Sequence, residues 1–207
     1  FNSNFKLLKK SKTKICLLSS VVPRLNNLVK KITLKYDIIF FNLNSKNLPF
    51  KLNIKYDLKK IGADRLANTI AIINLKYKNS IIIDFGTATT FDIVKNKVYE
   101  GGVISPGVNL SILNLNKSTA LLPLFNLKNI QKNYGKNTKE ALNAGFLWGY
   151  EGLINNVIKK ISKKTKKKYK IILTGGFAHF FVKSFKQKVF IDKDITIKGL
   201  LKIIKLL

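Results

Sequence analysis

Two rhythms of apolar and polar positions alternate along this chain. Residues 14–22 (Lys-Ile-Cys-Leu-Leu-Ser-Ser-Val-Val) are an apolar run stopped by Pro23, the pattern of a buried strand. Residues 24–36 suit a short amphipathic helix, and Ile38 to Phe41 a second strand. The segment 42–60 is rich in Asn and Lys and reads as loop. Asp64 to Leu75 returns to the helical period, with Leu66, Ile70 and Ile73 on one face. Three strands are then predicted in succession, Ser80 to Asp84, Thr89 to Val94 and Val98 to Ile104, with a tight turn at Lys95-Asn96-Lys97. Ser105-Pro106-Gly107 breaks the third, and a helix follows.

Asn137-Thr138-Lys139-Glu140 has the form of a capping box, and it opens the longest predicted helix, running to about Lys160. Its apolar stripe is Leu142, Phe146, Tyr150, Leu153, Val157 and Ile161. Gly145, Gly149 and Gly152 weaken it as a helix, so close packing against another element is expected there. Trp148 is expected to pack as well. Lys170 to Leu173 is a strand ending in Thr174-Gly175-Gly176, and a last helix spans roughly 194–205. The sum is a mixed α/β chain. The change of pattern near residue 80 divides it into 1–79, the back part of a first domain, and 80–207, a second one.

Composition changes this picture little. The formal net charge is +29, but nearly all of it is Lys, and Arg occurs only at positions 24 and 65. Lys, Asn and Ile are abundant together, as an A+T-rich coding sequence would give, and the lysines are spread rather than gathered. The densest cluster, Lys159 to Lys170, holds one aromatic residue and no Arg, whereas nucleic-acid readout favours stacking rings and bidentate forks. The expectation is salt-sensitive adhesion to polyanions without a specific nucleic-acid partner. Cys16 is the only cysteine and His179 the only histidine, which excludes an intramolecular disulfide and a Cys- or His-rich metal site. Cys16 reads as a small core residue, and His179 as a surface or helix-start residue. No apolar run approaches the ~20 residues of a membrane span, so a cytoplasmic protein is expected. The chain opens at Phe1 and contains no Met, which reads as a fragment lacking an N-terminal piece.

The chemistry concentrates in a few short segments. In Ile81-Ile82-Ile83-Asp84-Phe85-Gly86-Thr87-Ala88-Thr89-Thr90, an apolar strand ends in a carboxylate, a glycine and a group of hydroxyls. Gly86 lets a ligand approach the backbone, turn amides and Thr hydroxyls can donate to phosphate, and Asp84 can hold a cation. Gly62-Ala63-Asp64-Arg65 lies at a helix start. There Asp64 is either a general base beside an anion-binding Arg65 or simply a helix cap. Gly135-Lys136-Asn137-Thr138 and Thr174-Gly175-Gly176 each admit a ligand-binding or a purely local reading. Tyr99 to Gly107 carries three glycines and a proline, which reads either as a strand-to-helix corner with close backbone approach or as the lining of a substrate pocket.

In order and spacing these segments, together with Ser19-Ser20-Val21-Val22-Pro23, resemble type III pantothenate kinase, of the acetate and sugar kinase/Hsp70/actin superfamily. The resemblance covers almost the whole chain. It implies an α/β ribonuclease H-like (actin-like ATPase) fold, with a remnant of the first domain and a complete second one. The implied reaction is ATP-dependent phosphorylation of pantothenate to 4′-phosphopantothenate, the first step towards coenzyme A. Asp64 matches the proton acceptor, and Gly62, Ala63, Asp64 and Arg65 match a pantothenate-binding segment. Asp84 matches the ligand of a monovalent cation (K+ or NH4+), Thr87 an ATP contact, and Thr138 a substrate contact delivered across a homodimer interface. Tyr56 matches a pocket tyrosine, across a loop one residue shorter than usual and without its proline. ATP would arrive with Mg2+.

The family's Asp-x-Gly-Asn-Thr phosphate turn is absent and is expected upstream of Phe1, so the 207 residues alone are expected to turn over little or no substrate. Asp64 and Asp84 are expected to converge on one cleft. Two other readings stand beside the enzyme. One is a non-catalytic family member acting as a regulatory or accessory binding protein; the other is a basic nucleic-acid-binding module.

Overall fold

Three consecutive isoleucines organise the larger half of the molecule. In the computed structural model, which describes residues 14–20, 22–43, 61–73, 75, 77–129 and 133–206, Ile81, Ile82 and Ile83 have no exposed surface. A strand buried on both faces must lie inside a sheet. This strand, β3 (Ser80–Phe85), pairs antiparallel with β4 (Ala88–Lys95) and parallel with β6 (Lys170–Gly175). The full order is β5-β4-β3-β6-β7, with β5 at Val98–Pro106 and β7 at Phe190–Ile191. The β4–β5 turn puts Asn96 and Lys97 at φ of 52° and 62°, the left-handed pair that lets a two-residue hairpin follow the strand twist.

The odd-numbered face of β3 and β6 carries the main core. Ile81, Ile83, Phe85, Ile171 and Leu173 pack with Ile112 of α3 (Val108–Lys117) and with Tyr150, Ile154 and Ile161 of α4 (Thr138–Thr165). The capping box at the head of α4 forms in a shifted version. Asn137 accepts from the Glu140 amide at 3.0 Å, while the Glu140 carboxylate reaches the Lys136 amide at 2.9 Å. That backbone bond, with help from Asn137, holds the Glu140 carboxyl below its ordinary pKa.

The smaller unit is built on β1 (Ile15–Leu18) and β2 (Ile39–Asn42), a parallel pair joined through α1 (Pro23–Leu34). Its second part is α2 (Ala63–Ile73) against the last helix, α5 (Ile195–Ile204). Gly199 makes that crossing possible, because a Cβ there would sit 2.0 Å from the Ala67 carbonyl oxygen. Thr196 donates to Asn68 at 2.6 Å, and the Lys202 ammonium caps the Ala71 carbonyl near the end of α2. Burial pulls the Lys202 pKa down.

Contacts group 1–76, 97–99 and 194–207 into one unit and 77–96 and 100–193 into the other. The last helix thus counts with the N-terminal segment, where the sequence reading ran the second domain through to residue 207. Two packing expectations fail. Gly145, Gly149 and Gly152 are exposed, and a Cβ on any of them would meet nothing within 4 Å. Trp148, on the same side of the stripe's edge, is 45% exposed. The predicted stripe of α4 has two faces: Tyr150 and Ile161 are buried in the core with Phe146, Leu153 and Val157 packed half-buried against it, while Leu142, Phe146, Tyr150 and Leu153 also line an open groove. Cys16 is half-buried rather than a full core residue, and burial pushes its thiol pKa up.

Candidate active site

The turn after β3 is made by its neighbours as much as by its own residues. Asp84 stands in register with Thr90 on β4 and Thr174 on β6, so the three side chains form one row across the central strands. Thr90 is 9% exposed and Thr174 3% exposed, and the Thr90 hydroxyl meets no hydrogen-bond partner among the described residues. Gly86 and Thr87 follow and are exposed, with the Gly86 amide bonded to the Ala88 carbonyl at 3.1 Å.

Two glycines from elsewhere close on this turn. A Cβ at Gly107 would lie 2.1 Å from the Thr87 carbonyl oxygen and 2.6 Å from that of Gly86. A Cβ at Gly175 would lie 2.6 Å from Asp84 Oδ1 and from the Phe85 backbone, and Gly175 has φ +85°. Both glycines are therefore required by close approach. Gly86 itself is different: its Cβ would find only ordinary contacts among the described residues.

In the smaller unit, Ala63 opens α2 and is buried, and Gly62 supplies the carbonyl that accepts from the Leu66 amide at 3.0 Å. Asp64 is exposed in the first turn, its Oδ1 accepting from the Arg65 amide at 2.8 Å. The helix-end reading of Asp64 is thus realised in part, and an exposed carboxylate remains. The Arg65 guanidinium donates to the Tyr99 hydroxyl at 3.0 Å, and Tyr99 is 1% exposed. Sequence reasoning missed Tyr99 as a partner, since 34 residues separate the two and no spacing signals it.

Thr138 is the first residue of α4, exposed, and lines the groove beside that helix. Gly135 packs on the same helix start, where a Cβ would lie 2.0 Å from the Ala141 amide nitrogen. Tyr56 lies outside the described residues. His179 is exposed on a short 3-10 turn (Ala178–Phe180) after Gly175-Gly176, as expected. Among the described residues no three His, Cys, Asp or Glu side chains cluster as metal ligands, and no helix is long and apolar enough to cross a membrane.

Comparison with known proteins places the chain in a family. The family model for type III pantothenate kinase matches residues 2–160. A type III pantothenate kinase of Pelagibacter ubique is 50% identical over 196 residues, 94% of this chain and 79% of its own length. Among solved structures, a protein described as a Baf family transcriptional activator from Campylobacter jejuni superposes with a TM-score of 0.67 at 25% identity, over 97% of this chain and 86% of its own. MreB 5 of Spiroplasma citri, solved bound to AMPPNP, matches at TM-score 0.50 and 14% identity over 99% of this chain and 75% of its own, a likeness of fold alone. The fold is that of the actin-like ATPases, and the chain belongs to the type III pantothenate kinase family.

Proposed function

We propose that this chain is the greater part of a kinase that transfers the γ-phosphoryl group of ATP to the terminal hydroxyl of pantothenate. The observation that carries the reading is the exposed Asp64 carboxylate beside an Arg65 whose guanidinium is held by buried Tyr99. The hydroxyl oxygen attacks the γ-phosphorus, the bond to the β-phosphate oxygen breaks, ADP leaves, and the hydroxyl proton passes to Asp64. A primary alcohol that loses its proton late needs only a carboxylate within hydrogen-bond reach. Arg65, its guanidinium oriented in part by the Tyr99 hydroxyl, is the cation at this end suited to the pantothenate carboxylate. Gly62 and Ala63 set the backbone at that end, and Tyr56 is proposed to wall the pocket. Thr87 and the turn amides would take the phosphates, with Gly86 leaving room for them.

The residues around Asp84 fit a monovalent cation. A carboxylate flanked by threonine hydroxyls, one of them without a partner among the described residues, is an oxygen-rich donor set. Asp84 would hold K+ or NH4+, which would add positive charge near the polyphosphate. Mg2+ would travel with ATP and neutralise the transferring group; it needs few protein carboxylates because substrate phosphates supply its ligands. We assign the two ribonuclease H-like halves to residues 1–79 and 80–193, with α5 packing on the first.

The test is ATP-dependent formation of 4′-phosphopantothenate with and without potassium. It is run on these 207 residues and on the chain extended upstream of Phe1 by an Asp-x-Gly-Asn-Thr strand. Turnover by the extended chain, stimulated by potassium, is the expected result; none under either condition refutes the kinase reading.

We further propose a homodimer through α4. Thr138, Leu142, Gly145, Phe146, Gly149 and Leu153 line one side of an open groove of about 540 Å3. An isologous interface would lay the same helix of a second copy along this face, with its apolar side chains over the bare glycines. Thr138 would then stand at the edge of the partner's site. Gly149→Leu is expected to leave the fold intact, because its side chain has open space within the chain and leucine is the better helix former by about 0.8 kcal/mol. It should nevertheless give a monomer in sedimentation equilibrium where the parent is a dimer.

A further inference from the structure

Tyr150 sits at the back of the phosphate turn and reaches it by two routes. Its hydroxyl donates to the Pro106 carbonyl at 3.0 Å, and Ser111 lies 3.1 Å away. A phenol has one proton, so with that proton on Pro106 the Ser111 hydroxyl is the donor in the second bond. Pro106 is followed by Gly107, whose backbone lies against the carbonyls of Gly86 and Thr87. The second route is aromatic. The Tyr150 ring stacks on Phe181 at 5.9 Å, and Phe181 stacks on Phe85 at 5.1 Å, the residue just before Gly86. Tyr150 is 9% exposed, and burial pushes its pKa up, with the Ser111 bond opposing, so the hydroxyl stays a donor at neutral pH.

We propose that Tyr150 is a positioning residue for nucleotide binding: it fixes the Gly86–Thr87 turn through Pro106–Gly107 on one side and through Phe181–Phe85 on the other. This rests on the reading of that turn as the phosphate site. A hydroxyl and a ring serving the same two-residue turn from separate directions is more than core packing requires. Leucine and phenylalanine are apolar enough for this position, but neither carries a donor for the Pro106 carbonyl.

Tyr150→Phe keeps the ring stack and removes the bond. The readouts are titration with a fluorescent ATP analogue, hydrogen exchange of residues 85–88, and thermal melting. The expected result is a Kd for the analogue raised about tenfold and faster exchange at the turn. The KM for pantothenate in the extended chain should stay within twofold of the parent. A Kd within twofold of the parent overturns the proposal, whatever happens to the melting temperature. Should Tyr150→Phe not fold, Phe181→Leu loosens the second route and is expected to raise the same Kd; an unchanged value there overturns it equally. If the extended chain binds the analogue but forms no phosphopantothenate, the kinase reading fails while the Tyr150 comparison still stands.

Discussion

Asp64→Asn in the extended chain is expected to lower kcat by about 10²–10⁴-fold and to leave the fold as it was. The separation of the two effects comes from the geometry at the start of α2. Asp64 Oδ1 accepts the Arg65 amide at 2.8 Å, and the asparagine carbonyl can accept the same proton. Asn and Asp serve helix starts about equally well, so the stability change is expected within about 0.5 kcal/mol. What asparagine cannot do is take the proton of the attacking hydroxyl. Asp64→Ala, in contrast, removes both functions and should add about 1 kcal/mol of destabilisation to the rate loss. Steady-state kinetics with urea unfolding on both variants distinguishes the roles. A parent-like kcat for Asp64→Asn would leave Asp64 as a helix cap and nothing more.

The elements legible in the sequence were those with a strong period or a strong stop. The β3–β4–β5 meander is one, because three buried isoleucines and a two-residue turn leave few alternatives. The start of α4 is another, because Asn137 and Glu140 have the spacing that caps require. β7 was not legible: it has two residues, both exposed, and no alternation to read. The 3-10 turns at 178–184 were missed for a similar reason, since each spans three residues.

The glycines show where local reading stops. Gly149 and Gly199 both sit in helices and look alike in a sequence. Yet Gly199 is pressed on the Ala67 backbone and Gly149 faces open space. The difference belongs to the partner element, 132 positions away for Gly199, and no helical pattern encodes it. The same holds for the proposed site. Asp64, Arg65, Asp84 and Thr87 were singled out by residue type and position. The bonds of Tyr99 to Arg65 and of Tyr150 to the Pro106 carbonyl are tertiary contacts that no spacing in the sequence signals.

Gly175→Ala is expected to destabilise the larger unit by about 3 kcal/mol, while Gly176→Ala changes it by no more than about 0.5 kcal/mol. The pair is a controlled comparison, because the two glycines are adjacent and identical in sequence. Gly175 has φ +85°, where a Cβ is strained, and that Cβ would also overlap Asp84 Oδ1 and the Phe85 backbone at 2.6 Å. The Asp84 side chain can shift, but the backbone obstacle cannot yield cheaply: Phe85 is held by β4 and β6 on both sides and by the Phe181 stack. Gly176 is exposed with nothing within 4 Å of its Cβ position.

The functional consequence follows from which atom is displaced. Pushing Asp84 Oδ1 out of the row it forms with Thr90 and Thr174 should abolish the rise in melting temperature that potassium chloride gives over an equal concentration of lithium chloride. Gly176→Ala should keep that rise. Urea midpoints and melting curves in the two salts measure both effects on the same samples. If Gly175→Ala melts earlier yet still responds to potassium, Asp84 is not where the cation is held. The strand-end carboxylate would then be a structural partner of the β6 turn.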